Sequence, residues 1–254
     1  MNKWLVEEVS RGLRLPNFIQ AHLKIKISLN QIKTAIENRA CRVNGRPERF
    51  ASYLVQVGDT IEYRVAESSK IEVIFEDPFL AIVNKPPFVV CEAEKGMLGL
   101  RLCHRIDKET SGCLLLAKTE SVEQALMALF KERAIEKTYF ALVDGYPKEF
   151  SGTIESPIGG KPSKTRWILE KKGKGTSLLK CYPETGRTHQ IRIHMASIHL
   201  PLLGDYTYGK KFSSKFSPSR ILLHAAALSF EHPIKKNRVE VNIPLPGEFY
   251  EALQ

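Results

Sequence analysis

Cys113-Leu114-Leu115-Leu116-Ala117 is an unbroken apolar run closed by Lys118-Thr119. A run this short and this apolar suits a strand buried on both faces, so the chain must build a sheet that is covered above and below. Directly ahead of it stands His104-Arg105-Ile106-Asp107-Lys108-Glu109-Thr110-Ser111-Gly112, which places one carboxylate among cations and hydroxyls at the mouth of the strand. Asp107 would then sit on a loop held by rigid structure, a common place for a reacting group, and it is a candidate nucleophile. The competing reading is structural: Asp107 caps a turn through Thr110 and Ser111, as loop aspartates often do.

The 254 residues suffice for one sizeable core and one small domain. No apolar run reaches the length of a membrane span, and the start, Met1-Asn2-Lys3-Trp4-Leu5-Val6-Glu7-Glu8, lacks the apolar core of a secretory signal. A cytoplasmic monomer with no membrane partner is expected. Five cysteines, Cys41, Cys91, Cys103, Cys113 and Cys181, are odd in number and unequally spaced, which argues against a disulfide framework or a zinc site. They are expected to be small buried apolar residues. His189, His194 and His199 recur every five residues; on a helix beginning near Thr188 that spacing leaves any single face, whereas a chelating pair needs i and i+4. No metal is expected.

The net charge of +10 points to an anionic partner. Residues 11 to 50 concentrate it, with nine Lys or Arg against Glu37 and Glu48, an excess of +7. Within that segment Ser28-x-x-Gln31 reads as a capping box opening a helix with Ile32, Ala35 and Ile36 on one face, and an earlier helix starts near Asn17 with Phe18 and Leu23 inward. Val43-Asn44-Gly45-Arg46 carries a turn dipeptide between extended residues, and Val57-Gly58-Asp59 feeds an alternating strand. The composition turns polar around Ser68-Ser69-Lys70, where a domain boundary is placed, and Ile71 begins a new strand. Beyond it, Thr119 caps a helix with Val122, Ala125, Leu126, Leu129 and Phe130 on one face. Lys171-Lys172-Gly173-Lys174-Gly175-Thr176 lacks phosphate-loop spacing and reads as a hairpin turn. Ile191, Met195 and Ile198 form the stripe of a further helix, with Arg192 beside it.

The His104–Gly112 block resembles the signature of the RluA-type RNA pseudouridine synthases, with Ile106 where Leu is usual. Three more blocks follow in the family's order: Glu136-Lys137-Thr138-Tyr139-Phe140-Ala141-Leu142-Val143-Asp144-Gly145, Thr185-Gly186-Arg187-Thr188-His189-Gln190-Ile191-Arg192-Ile193-His194, and Ile221-Leu222-Leu223-His224-Ala225, with Asn84-Lys85-Pro86 ahead of them. The N-terminal pattern is similar to the S4-type RNA-binding domain that precedes such enzymes. The resemblance implies an α+β protein: residues 1–68 as a small S4-like α/β RNA-binding domain, and residues 69–254 as a catalytic domain with a mixed, mostly antiparallel central sheet flanked by helices and a cleft across it. It implies an isomerase acting on uridines of ribosomal or transfer RNA without a cofactor. Asp107 would be the essential carboxylate, Arg192 its partner and Tyr139 the residue stacked on the target base. Arg105 would stabilise the displaced base. Lys33, Arg39, Arg42 and Arg46 would follow phosphates.

Three departures from the family pattern stand out. Leu29 occupies a position where Arg is common, Pro87-Phe88 replaces a small residue and Gly, and only thirteen residues separate Val90 from His104. The first implies weaker RNA holding by the N-terminal module; the other two raise a competing function, a catalytically silent RNA-binding protein of synthase ancestry acting in ribosome assembly.

Overall fold

The computed structural model describes residues 2–254 except 26, 38, 65–70, 92–95 and 210. The polar stretch at Ser68-Ser69-Lys70 lies outside the described residues, as does part of the short segment between Val90 and His104. The chain divides into two compact units, Met1–Ser69 and Lys70–Gln254.

The first unit holds β1 (Asn2–Leu5), α1 (Leu15–His22), α2 (Leu29–Glu37), β2 (Cys41–Val43), β3 (Arg46–Glu48) and β4 (Thr60–Tyr63), with the strands in antiparallel order β1-β4-β2-β3. The capping box forms as its residues dictate. The Ser28 amide donates to Gln31 Oε1 at 2.9 Å, and the Gln31 amide donates to Ser28 Oγ at 3.2 Å. α2 then buries Ile32, Ala35 and Ile36 against Phe18, Ile19, Val43 and Ile61. Asn44 and Gly45, at φ 52° and 76°, make the tight turn between β2 and β3 that the Asn-Gly pair favours. Asn44 also donates to Asp59 across the unit at 2.8 Å, so the two turns brace each other.

The second unit is a ten-stranded sheet. Its elements in chain order are β5 (Glu72–Glu76), β6 (Leu80–Lys85), β7 (Arg101–Leu102), β8 (Ser111–Ala117), α3 (Glu120–Lys131), β9 (Glu136–Asp144), β10 (Ser151–Ile154), β11 (Thr165–Lys172), β12 (Thr176–Pro183), α4 (Gln190–Ser197), β13 (Leu223–Glu231), β14 (Arg238–Asn242) and α5 (Gly247–Glu251). The spatial order is β10-β11-β12-β9-β13-β8-β6-β5, with β14 beside β13 and β7 beside β8. Among the described residues every pair is antiparallel except β8 with β13. The apolar run Cys113–Ala117 lies in β8, all seven residues of which are buried, with a core shared with α3 and β6. The parallel contact pairs Ser111 with His224 and Gly112 with Ala225, and at Gly112 a φ of +110° and a hypothetical Cβ 2.1 Å from the Ala225 carbonyl oxygen leave room only for glycine. α4 packs Ile191 and Met195 against Ala141, Trp167 and Leu179.

Candidate active site

Asp107 lies on the loop between β7 and β8, and nearly every residue around it is fastened to scaffold. His104 Nε2 accepts the Leu115 amide of β8 at 2.9 Å, and its ring lies 4.5 Å from that of Phe130 on α3. Burial, with the nearby Lys137 cation, pushes the His104 pKa down to about 3, so the ring is neutral and available as an acceptor. The Lys108 carbonyl accepts the Phe88 amide at 2.6 Å and the Lys85 ammonium at 3.2 Å. Glu109 Oε2 accepts the Ile221 amide at 3.1 Å, and its carbonyl accepts from the buried Arg220. Lys85, fully buried, spends its other donors on the Pro86 and Val89 carbonyls, and burial lowers its pKa to about 8.

The turn at Asp107 is closed by its backbone carbonyl, which accepts the Thr110 amide at 3.0 Å, while the Ser111 hydroxyl pairs with His224. The carboxylate is directed elsewhere. Its Oδ2 lies 3.5 Å from Arg192 Nη1, and its Oδ1 lies 4.0 Å from His189 Nε2. Arg192 is buried on α4, and its nearer partner is Asp205. Asp205 Oδ2 accepts Nε at 2.6 Å, and Oδ1 accepts Nη2 at 3.0 Å and the Thr207 and Tyr208 amides. Arg192 thus meets Asp107, as expected of the pair, but shares itself with a second carboxylate: Asp205 takes the bidentate bond, and Asp107 meets the remaining corner of the guanidinium. Burial opposes the Arg192 charge, but Asp205 and then Asp107 outweigh it and hold the pKa above its ordinary value. The Tyr208 ring centroid lies 5.1 Å from the guanidinium carbon, and the Tyr208 hydroxyl bonds His189 Nδ1 at 3.0 Å. His189, at φ 57°, ends the approach to α4. His194 is instead buried against Thr165 and Ser156, and His199 is exposed.

The surrounding cleft, about 590 Å³, is lined by Asp107, Arg105, Tyr139, Lys137, Arg187 and His189 among others. Arg105 is exposed on its rim. Tyr139 enters from β9; burial, followed by the charge of Asp107, raises its pKa, so the phenol stays protonated. Burial, with Arg133 nearby, lowers the pKa of Lys137 to about 8. Gln190 fixes the wall by accepting from the Thr185 hydroxyl at 2.6 Å and the Arg187 amide at 3.0 Å. The wall is cationic, with Arg105, Lys131, Arg133, Lys137 and Arg187 against Asp107 and Glu184.

In the first unit Lys33 and Arg46 are exposed, and Arg42 is half-buried with Nη1 on the Gly45 carbonyl at 3.2 Å. Arg39, in a left-handed backbone conformation just past α2, is only 9% exposed. Of the cysteines, Cys91 is half-buried and the other four are buried. Asp205, Lys85 and Arg220 escaped the sequence reading. Asp205 and Arg220 belong to none of the quoted motifs, and Lys85 lies in Asn84-Lys85-Pro86 with nothing local to show what it holds.

Residues 80–197 match the RNA pseudouridylate synthase family, and residues 13–61 match the S4 domain. The chain is 31% identical to the ribosomal large subunit pseudouridine synthase C of Vibrio parahaemolyticus, over 98% of this chain and 94% of that protein. It is 32% identical, over the same shares, to the protein of that name from Vibrio cholerae. A solved structure titled human RNA pseudouridylate synthase domain containing 1 superimposes with a TM-score of 0.62 at 28% identity, covering 72% of this chain and 86% of that one. This chain therefore belongs to the RluA-type RNA pseudouridine synthases with an N-terminal S4 domain, isomerases that convert uridine in RNA to pseudouridine.

Proposed function

We propose that Asp107 is the essential carboxylate, acting at the ribose either as nucleophile or as base. The reaction breaks the N1–C1′ bond of a uridine, turns the freed base and joins C5 to C1′; C5 loses a proton and N1 gains one. The observation that carries this reading is the division of labour in the loop. Backbone and neighbouring side chains close the turn and bond the scaffold, while the Asp107 carboxylate is kept on the cleft wall against Arg192. Arg192, itself held by Asp205, orients that carboxylate. Tyr139 lies against the extruded base and offers a neutral hydroxyl near C5. Arg105, on the rim, takes up space that the displaced nucleotide leaves.

The first unit, residues 1–68, supplies phosphate contacts through Lys33, Arg39, Arg42 and Arg46, with the buried Arg39 the weakest of the four. The two Vibrio relatives are named for the large ribosomal subunit, so the proposed substrate is a uridine of that subunit's RNA; the proposed agent is a cytoplasmic monomer. Asp107→Asn should abolish pseudouridine formation and leave thermal stability and RNA affinity nearly intact. A tritium-release assay on unmodified ribosomal RNA decides this. Turnover by the Asn variant, after deamidation back to Asp is excluded, would remove Asp107 from its role. Mapping pseudouridines in ribosomal and transfer RNA from cells with and without the gene identifies the substrate.

A further inference from the structure

The hairpin turn Lys171–Thr176 meets two exposed aromatic rings at the end of the sheet away from the cleft. Tyr146 staples the turn: its hydroxyl donates to the Gly173 carbonyl at 2.9 Å and accepts the Gly175 amide at 2.8 Å. Gly173 has no space for a side chain, since a Cβ there would lie 2.6 Å from Thr176 Oγ1 and 2.7 Å from Leu253 Cα. The carbonyl of Phe150 is bonded to the Leu169 amide at 2.7 Å, so that residue too is fixed at its backbone. Yet the side chains are presented to solvent, Phe150 being 76% and Tyr146 51% exposed. Lys172 Nζ lies 5.9 Å from each ring centroid, and Lys148 and Lys174 are exposed on the same two loops.

Single exposed apolar residues are ordinary and need no explanation. Two rings sharing one ammonium group, on a loop hydrogen-bonded to the neighbouring hairpin turn and to β11, are a different arrangement. A protein partner is recognised through a wide apolar patch; here the apolar surface is two ring faces interleaved with cations, with Glu149 the acid between them. That chemistry fits unpaired nucleotides, whose bases stack on aromatic faces while their phosphates meet lysines. The strand register supplies a second argument. Lys172 pairs with Ser177 and Ser177 with Val143, which lies four residues along β9 from Tyr139. Side chains alternate across a strand, so Lys172 and Tyr139 share one face of the sheet, about 13 Å apart along β9.

We propose that Phe150, Tyr146 and Lys172, flanked by Lys148 and Lys174, form a second RNA platform that stacks an unpaired nucleotide of the substrate outside the cleft. It rests on RNA being the substrate and is independent of the role assigned to Asp107. The test uses the full chain and an unmodified transcript that the wild type converts, with Phe150→Ala, Phe150→Trp and Lys172→Ala; Tyr146 is left intact because its hydroxyl holds the turn. Loss of one stacked base should weaken binding and raise KM about 5- to 100-fold in Phe150→Ala, with kcat at saturating RNA unchanged. Phe150→Trp should restore binding, because it keeps a π face. Lys172→Ala should lower the slope of log affinity against log salt by about 0.7, and Phe150→Ala should leave that slope alone. Ultraviolet cross-linking should attach RNA to the Phe150 peptide. Affinity and KM of Phe150→Ala within twofold of wild type would overturn the proposal, as would a loss that Trp does not restore. So would binding of anionic vesicles or of a protein that depends on Phe150 while RNA affinity does not.

Discussion

Arg192 divides its guanidinium between two carboxylates, with Asp205 2.6 Å from Nε and Asp107 3.5 Å from Nη1. The inner pair is buried on both sides, so its energetics differ from those of a surface ion pair. Removing one partner leaves a desolvated charge without compensation, whereas replacing both by apolar residues removes the burial cost with the bond. Asp205→Ala should therefore destabilise the catalytic unit by about 3–5 kcal/mol in denaturant titration. It should also release the Thr207 and Tyr208 amides that Asp205 accepts. The double variant Arg192→Met/Asp205→Leu should recover part of that stability and none of the activity, since nothing then orients Asp107. If the double variant is no more stable than Asp205→Ala, the buried charge is not what costs the single variant its stability. The same geometry gives Arg192→Lys a distinct expectation: the cation survives, the fork that grips Asp205 does not, and turnover falls more than stability.

Elements whose determinants are local were legible in the sequence. The Ser28–Gln31 box, the Asn44-Gly45 turn, the Thr119 cap and the Lys171–Thr176 hairpin each depend on interactions within a few residues, and each appears where its residues place it. Ser28→Ala should cost the first unit about 1 kcal/mol, read as a shift in its own unfolding transition. What was illegible depends on elements meeting across the chain. Asp205 reaches Arg192 from the loop before β13, Lys85 holds a carbonyl 23 residues away, and Arg220 bonds Glu248 and the Glu109 carbonyl. The burial of Arg39, 9% exposed at φ 59°, was likewise not legible from its place in the basic segment. The crossing of β8 and β13 shows how tightly such meetings are set. Gly112→Ala would drive a methyl into the Ala225 carbonyl in a backbone region reserved for glycine. It should destabilise by at least about 3 kcal/mol and shift the Asp107 loop, lowering kcat in whatever fraction folds.

At the scale of the whole molecule, two titrations separate the fold from its partner. His104 and His224 are held neutral, their pKa values pushed down chiefly by burial to about 3 and about 4. The unfolded chain protonates both below about pH 6.5, so unfolding takes up protons there; stability is full above that pH and falls as pH drops toward the folded values. Between pH 6 and 5, before carboxylates contribute, these two should supply about 2.7 kcal/mol per pH unit, to which buried His194, its pKa also lowered by burial, adds, and His104→Gln should take away about 1.4. Salt reports on the other face of the problem. The basic excess of residues 11 to 50 belongs to the unit Met1–Ser69, and the cationic cleft to the unit Lys70–Gln254. Deleting residues 1–68 should leave a folded second unit, because its core clusters draw only on residues beyond 70. Each lost phosphate contact flattens log affinity against log salt by about 0.7–0.9, so four contacts from Lys33, Arg39, Arg42 and Arg46 would remove about three from the slope. An unchanged slope, measured on the same RNA across a range of salt, would take the first unit out of the binding surface and leave the cleft and the Phe150 platform to hold the substrate alone.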